Sequence, residues 1–207
     1  EQFNPFSLSL PDTVLVYINS SLRNVFSFNK MSNVLGMDYI TRWNRNNMLL
    51  LNGVDEREQV NHVLRLRWQI TRHLSLNNEA GMGQQRYESE YLSSKNYDID
   101  FYSDNIRLSF QPNLKMRISL DGEYLNKQNE GGESLDKYLT GVEFRANTDK
   151  GAMISGRVNY IRMNYSGETG NSLSYEMLEG LQPGDNMTWT VQYQQRLVSG
   201  LQISINY

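Results

Sequence analysis

Apolar and polar residues alternate most regularly in the stretch 105–124, which reads NIRLSFQPNLKMRISLDGEY. Apolar residues occupy every second position on both sides of Pro112 and Asn113. Side chains of a β-strand point to opposite faces with a period of two, so the pattern predicts a hairpin with one apolar and one charged face. Proline fixes φ and asparagine tolerates unusual backbone angles, and we therefore expect the turn at these two residues.

The same alternation recurs along the whole chain. Tight turns are expected about forty residues apart, near Lys30, Arg72, Pro112, Lys150 and Ser199. Longer polar connections are expected around 55–58, 91–97, 126–134 and 166–185. This spacing predicts an all-β fold: an antiparallel up-and-down meander of about ten strands that forms a transmembrane β-barrel or part of one. We expect one barrel domain over residues 1–207, with 1–12 as a short lead-in and further strands elsewhere in a larger protein.

Two kinds of all-β protein fit this pattern, a membrane barrel and a soluble sandwich or lipocalin-like barrel. In the soluble fold the apolar face points inward and the polar face meets water. Long strands, short turns that alternate with long connections, and aromatic residues near the strand ends favour the membrane barrel. These aromatic residues are Tyr39, Trp43, Tyr102, Tyr124, Tyr138 and Tyr160.

A membrane barrel assigns the two sides of the alternation to different surroundings. The expected lipid-facing residues are Leu64, Leu66, Trp68, Ile106, Leu108, Phe110, Met116, Ile118 and Leu120. The expected lumen-facing charged residues are Arg65, Arg67, Arg107, Lys115, Arg117, Asp121, Glu123, Glu143, Arg145 and Arg157. The basic members could steer an anionic solute, but cross-strand pairs between the two charge signs are what a filled lumen requires.

Composition excludes several function classes. The net charge of -3 argues against nucleic acid as a partner, because phosphate backbones require clustered Lys and Arg. No stretch approaches 18 consecutive apolar residues, as a transmembrane helix would need. Cysteine is absent, so disulfides and thiolate metal sites are excluded.

Candidate chemistry is sparse. His62 and His73 lie at opposite ends of one predicted strand, and no spacing supplies the partners of a hydrolase site. Asn96, Asp98, Asp100 and Asp104 offer oxygen atoms at short spacing but lack the pattern of a calcium loop. We therefore predict no catalytic residue, no cofactor and no metal site.

Two local motifs add to this picture. Thr13, within Asp12-Thr13-Val14, matches a short O-glycosylation pattern. Residues 172–180 are expected to form a short helix, capped by Asn171 or Ser172 and ended by Gly180. Tyr175, Leu178 and Leu181 would then share the face that packs over the barrel mouth.

The stretch 175–207, YEMLEGLQPGDNMTWTVQYQQRLVSGLQISINY, resembles the C-terminal region of large outer-membrane β-barrel proteins of Bacteroidota. SLRNVFSFNK, LRLRWQITRHLSLN and LSFQPNLKMRISL, at 21–30, 64–77 and 108–120, are similar to earlier parts of such proteins. The resemblance implies the outer membrane of a Gram-negative bacterium, with outer-membrane lipid and other envelope proteins, or further barrel strands, as partners. Family members continue past the position of Tyr207, so we expect that the barrel does not close with this residue as its end.

The function expected from these observations is non-enzymatic: a membrane anchor, or a subunit of an envelope assembly or transport complex. Three alternatives stay open, namely a passive pore for small solutes, a barrel-borne hydrolase and a soluble ligand-binding β-barrel.

Overall fold

A computed structural model describes residues 16–32, 34–50, 53–148, 151–198 and 201–206. These residues form ten strands: β1 (Val16–Phe28), β2 (Leu35–Leu50), β3 (Gly53–Gln69), β4 (Leu74–Ser89), β5 (Tyr97–Asn113), β6 (Met116–Asn129), β7 (Ser134–Asn147), β8 (Ala152–Ser166), β9 (Gly184–Val198) and β10 (Leu201–Asn206). A 3-10 turn (Ser93–Lys95) precedes β5, and one helix, α1 (Ser172–Leu178), lies between β8 and β9. Thr13 and the predicted lead-in lie outside the described residues.

All ten strands belong to one antiparallel sheet, and their order in space is their order in sequence. The predicted all-β, up-and-down meander is therefore confirmed. Within the described part of the chain β1 and β10 are not paired with each other, so the sheet is open. Closure into a barrel stays a prediction.

The strands are longer than the apolar alternation indicates. The predicted connection at 55–58 is wrong, because these residues pair within β3, and 126–129 likewise belong to β6. Polar side chains do not prevent backbone pairing, so the ladder continues where the apolar pattern stops. Within the described residues, long connections therefore remain at 90–96 and 167–183, whereas 130–133 is a four-residue turn.

The turn between β5 and β6 lies two residues later than predicted. Leu114 and Lys115 form it, and the Asn113 Oδ1 atom accepts hydrogen bonds of 2.9 Å from the backbone N–H groups of Lys115 and Met116. Pairing is irregular between Phe110 and Asn113, where Pro112 has no N–H to donate. The proline thus interrupts the ladder, and the asparagine side chain closes the turn.

Helix α1 covers one face of the sheet, which we call the inner face; the opposite face is the outer face. A buried apolar cluster joins α1 to the inner face of β5, β7 and β8 through Ile99, Leu135, Ile161, Met163, Met177 and Leu178. We call the end of the sheet near α1 the helix end. The opposite end, with the turns after β1, β3, β5 and β7, is the turn end.

Candidate functional site

The outer face carries an unbroken row of apolar residues across eight strands. Cross-strand pairing aligns Leu35, Trp68, Leu76, Leu108, Leu120, Val142, Val158 and Trp189. Many of these side chains are uncovered; Leu120 is 51% exposed and Trp189 is 50% exposed. Neighbouring apolar rows toward the helix end and the turn end extend this surface, for example from Met116 to Tyr124 on β6. We call this apolar region of the outer face the apolar band. All the predicted lipid-facing residues lie on this outer face, and whether they contact lipid stays a prediction.

Tyrosine and tryptophan residues mark the edge of the apolar band toward the helix end. The Tyr124 ring lies 6.2 Å from the ring of Tyr102 and 5.1 Å from that of Tyr138. The Tyr124 hydroxyl donates to Asp136 Oδ1 at 2.9 Å, and the Tyr160 hydroxyl to Asp185 Oδ1 at 2.7 Å. Similarly, Trp43 Nε1 donates to Glu58 Oε1 at 2.5 Å. Each acceptor lies two residues nearer the helix end than the ring's cross-strand neighbour, which is the next row on the same face. Each ring therefore has its apolar part in the band and its polar atom at the border.

This edge runs obliquely across the sheet. The row through Trp43 on β2 reaches Ser166 on β8, whereas the edge on β8 is at Tyr160, six residues nearer the turn end. Six residues correspond to about 20 Å along a strand, and the six strand-to-strand steps to about 29 Å. The edge is therefore inclined by about 35° to the cross-strand rows, by the same spacings.

The inner face holds the charged residues that were predicted to face the lumen, apart from Lys115. Asp121, which is 7% exposed, accepts from Arg107 Nε at 2.5 Å and from Arg157 Nη2 at 2.8 Å. Glu143 Oε2 lies 3.1 Å from Arg157 Nη2, and Arg145 contacts the other oxygen of Glu143 at 3.6 Å. Three of the predicted arginines thus share two carboxylates across four strands.

Other members of the predicted charged set also have partners. Arg65 donates two hydrogen bonds to Glu79, and Glu123 pairs with Lys137 at 2.9 Å. Arg117 donates to Gln111. Lys115 is the exception in position, because it lies in the turn and not on a strand. These contacts favour cross-strand pairing over a free row of cations for most of this face.

Helix α1 packs into the inner face at the helix end. Asn171 caps it, since its Oδ1 accepts from the backbone N–H of Ser174 at 2.6 Å, and the chain leaves the helix through Glu179 at φ 55°. Met177 is fully buried and Leu178 is 6% exposed. Tyr175 is 71% exposed, so the expectation that it packs against the sheet is wrong; Met177, two residues later, takes that role.

Ion pairs hold α1 from both sides. Glu176 accepts from Arg57 on β3 at 2.9 Å and from Gln85 on β4 at 2.7 Å. Lys127 on β6 donates to Glu179 at 3.0 Å and to the backbone carbonyls of Glu176 and Met177 at 3.2 Å each. The segment therefore spans the inner face from β3 to β8.

Glu179 accepts hydrogen bonds from two lysines, Lys127 and Lys137. Burial by itself raises its pKa, but hydrogen bonds and charge from Lys137 and Lys127 outweigh burial and hold the pKa below its usual range. The two lysine side chains are largely buried, 9% and 10% exposed, whereas the Glu179 side chain is 42% exposed, so water partly screens the pairing from the carboxylate side.

The inner face also contains an apolar patch that the sequence analysis missed. Its members beneath α1 are Ile99, Leu135, Leu139, Ile161 and Met163, and the buried Leu125 lies on the same face. Leu139, Ile161 and Met163 continue the polar side of the predicted alternation, whereas Ile99, Leu125 and Leu135 lie beside the polar connections predicted at 91–97 and 126–134. The available signal was that apolar residues stop keeping to one parity near the helix end, as in the pair Tyr124 and Leu125.

The histidines and the acidic loop form no composite site. His62 Nδ1 lies 3.0 Å from the Tyr39 hydroxyl on the outer face, whereas His73 Nδ1 lies 2.9 Å from the backbone oxygen of Gln111 at the turn end. Asp98 and Asp104 accept from Gln84 and Asn78. Over the described ranges there is no group of three His, Cys, Asp or Glu side chains placed to hold a metal ion.

Comparisons with known proteins give no assignment. No protein-family model matches the chain, and no curated protein matches it. Among the described residues, no helix has the length and apolar character needed to cross a membrane.

Proposed function

We propose that the chain is a transmembrane β-sheet of the outer-membrane barrel type, in which the outer face contacts lipid. It serves as a non-enzymatic anchor or as a subunit of an envelope assembly or transport complex. The observation that carries the proposal is the oblique apolar band. Strands of membrane barrels tilt by about 35–45°, and the edge of the band is inclined by about 35°. When strands are tilted in a membrane, an apolar band parallel to the membrane plane is inclined to the cross-strand rows by the tilt angle.

Exposure of the band supports lipid over water. A soluble protein rarely leaves a contiguous apolar patch larger than a few hundred Å² uncovered. Here large apolar side chains are exposed on every strand from β1 to β9, for example Phe26 at 66% and Met187 at 68%. A soluble ligand-binding barrel would instead place this face inside, and α1 lies on the other face.

Contacts of α1 argue for an anchor over a passive pore. The helix and its ion pairs fill the inner face from β3 to β8 at the helix end, where a pore would need a continuous water path. The resemblance to outer-membrane barrels of Bacteroidota agrees with the outer membrane as the location. A barrel-borne hydrolase has no support from the surroundings of His62 and His73 described above.

Reconstitution tests the proposal. The purified chain, unfolded in urea, is diluted into phosphatidylcholine vesicles, and the vesicles are floated through a density gradient in urea or carbonate. We expect folded, protease-resistant protein in the floating fraction, without conductance steps when the same vesicles fuse with a planar bilayer. A protein that stays monodisperse and folded without lipid or detergent contradicts membrane insertion, and regular conductance steps contradict the anchor.

A further inference from the structure

The inner face also contains a cleft at the turn end, far from α1. Its volume is about 870 Å³, and it is lined by Arg67, Arg72, Ser75, Asn77 and Gln111, among others. No carboxylate side chain among the described residues lines this cleft. Elsewhere on the inner face arginines and carboxylates occur together, so the local excess of positive charge is distinctive.

Arg67 is incompletely paired within this cleft. Its Nη2 atom lies 3.5 Å from Asp38 Oδ2, whereas Arg65 reaches Glu79 at 2.8 and 2.6 Å. The Arg67 Nε atom is enclosed by the protein and has no hydrogen-bond partner in the described part of the chain, as is also the case for Arg157 Nε. The Arg67 side chain as a whole is 42% exposed, so a ligand in the cleft would meet its exposed part, and among the described residues Nη2 there has only the long contact with Asp38.

Gly36 makes room for this guanidinium. A Cβ atom at position 36 would lie 2.9 Å from Arg67 Nη2 and 3.4 Å from its Cζ atom. Gly36 therefore leaves open the space that the guanidinium occupies, and a larger residue at position 36 would require the end of the Arg67 side chain to shift.

We propose that this cleft binds the oxyanion of a phosphate group. Arg67 and Arg72 supply two guanidinium groups, and Ser75 and Asn77 supply neutral donors on the adjacent strand. A phosphate offers more acceptor positions than a single carboxylate, which suits a cleft whose lining has several donors and no carboxylate side chain. Free phosphate and a phosphomonoester share this chemistry. The site does not depend on which environment the outer face contacts.

Calorimetric titration of the full chain, folded in an uncharged detergent, tests the proposal. Inorganic phosphate, glycerol phosphate and acetate are titrated separately at constant ionic strength. Arg72→Gln is the main variant, because residue 72 is exposed in a turn and its loss leaves the strands intact. Arg67→Gln is the second. Arg86→Gln is the matched control, since Arg86 is exposed, pairs with Glu88 and lies at the opposite end of the sheet.

We expect saturable binding of phosphate or glycerol phosphate, and the stronger of the two distinguishes the free ion from the ester. Arg72→Gln and Arg67→Gln should each weaken binding by about tenfold, as expected for loss of a charge-assisted hydrogen bond, while Arg86→Gln leaves it unchanged. Three results would overturn the site: no saturable binding of either phosphate, acetate binding as tight as phosphate, or equal weakening in the Arg86→Gln variant. Because no bilayer is involved, failure here leaves membrane insertion untouched.

Discussion

The orientation of the sheet is tested most sharply by one cation placed on either face. Leu120 lies midway along the apolar band on β6, between Met116 and Tyr124, and is 51% exposed, whereas Asn159 on β8 is on the inner face. If the outer face contacts lipid, Leu120→Arg places a guanidinium near the middle of the hydrocarbon layer. Asn159→Arg places the same group toward the charged interior.

Magnitudes separate the two variants. An arginine near the midplane on the lipid face of a barrel costs about 2–4 kcal/mol, which lowers the folding equilibrium constant roughly 30- to 700-fold. Asn159→Arg removes one hydrogen bond, from the Asn159 amide to Thr188 Oγ1 at 3.2 Å. The net loss for such a bond is about 0.5–1.5 kcal/mol.

Urea titrations of both variants in phosphatidylcholine vesicles, followed by tryptophan fluorescence, give the two free energies of unfolding. Equal destabilisation, or a larger loss for Asn159→Arg, would refute the assignment of the outer face to lipid. Ile118→Arg offers a second site in the band. Its neighbour Ser119 is unsuitable as a control, because Ser119 is 3% exposed and its Oγ lies 3.0 Å from that of Ser109.

Three further outcomes are expected. A cysteine replacing Glu130, at the helix end, should react with a membrane-impermeant maleimide on intact cells. A cysteine replacing Leu114, which is 91% exposed at the turn end, should react only after lysis. The reverse result would invert the topology. Met177→Ala should cost about 2–5 kcal/mol of local stability, because a fully buried side chain is lost. Hydrogen exchange should become faster in α1 and stay unchanged in β2. Unchanged exchange in α1 would contradict the docking of the helix. The pKa of Glu179 is lower in the folded than in the unfolded protein, so its stabilisation is present above about 4.5 and is lost as the pH falls through the lowered value. Urea titrations at pH 7 and pH 3 should show a loss of stability that is smaller in Glu179→Gln than in the unmodified chain, and an equal loss in that variant would contradict the assignment.

Strand order and the two faces of the sheet were predictable because successive side chains of a strand point to opposite faces, with a period of two. The register that aligns Leu108 with Leu120 and Val142 follows from that period together with short turns. Strand length was not predictable in the same way. Residues 55–58 and 126–129 carry charged or amide side chains on both faces, so the ladder continues without an apolar signal.

The position of α1 depended on information that the helix sequence does not contain. Its capping by Asn171 was predictable from residue type. Which side of so short a helix is buried depends on the strands that it meets, and the apolar residues beneath α1 lie on the face that alternation predicted to be charged. Met177 is buried because β5, β7 and β8 provide a matching patch, a contact between segments distant in sequence.

The height of the apolar band has a consequence for membrane thickness. On β6 the band extends from Met116 to Tyr124, a distance of about 26 Å along the strand. With the inclination of about 35°, its height along the membrane normal is about 22 Å, less than the roughly 30 Å hydrocarbon layer of an average bilayer. If the outer face contacts lipid, as proposed, a bilayer of average thickness thins around this sheet, and the cost of that deformation falls when two such proteins share one thinned region. Hydrophobic mismatch would then favour a thin membrane and promote clustering, without any specific contact between protein surfaces.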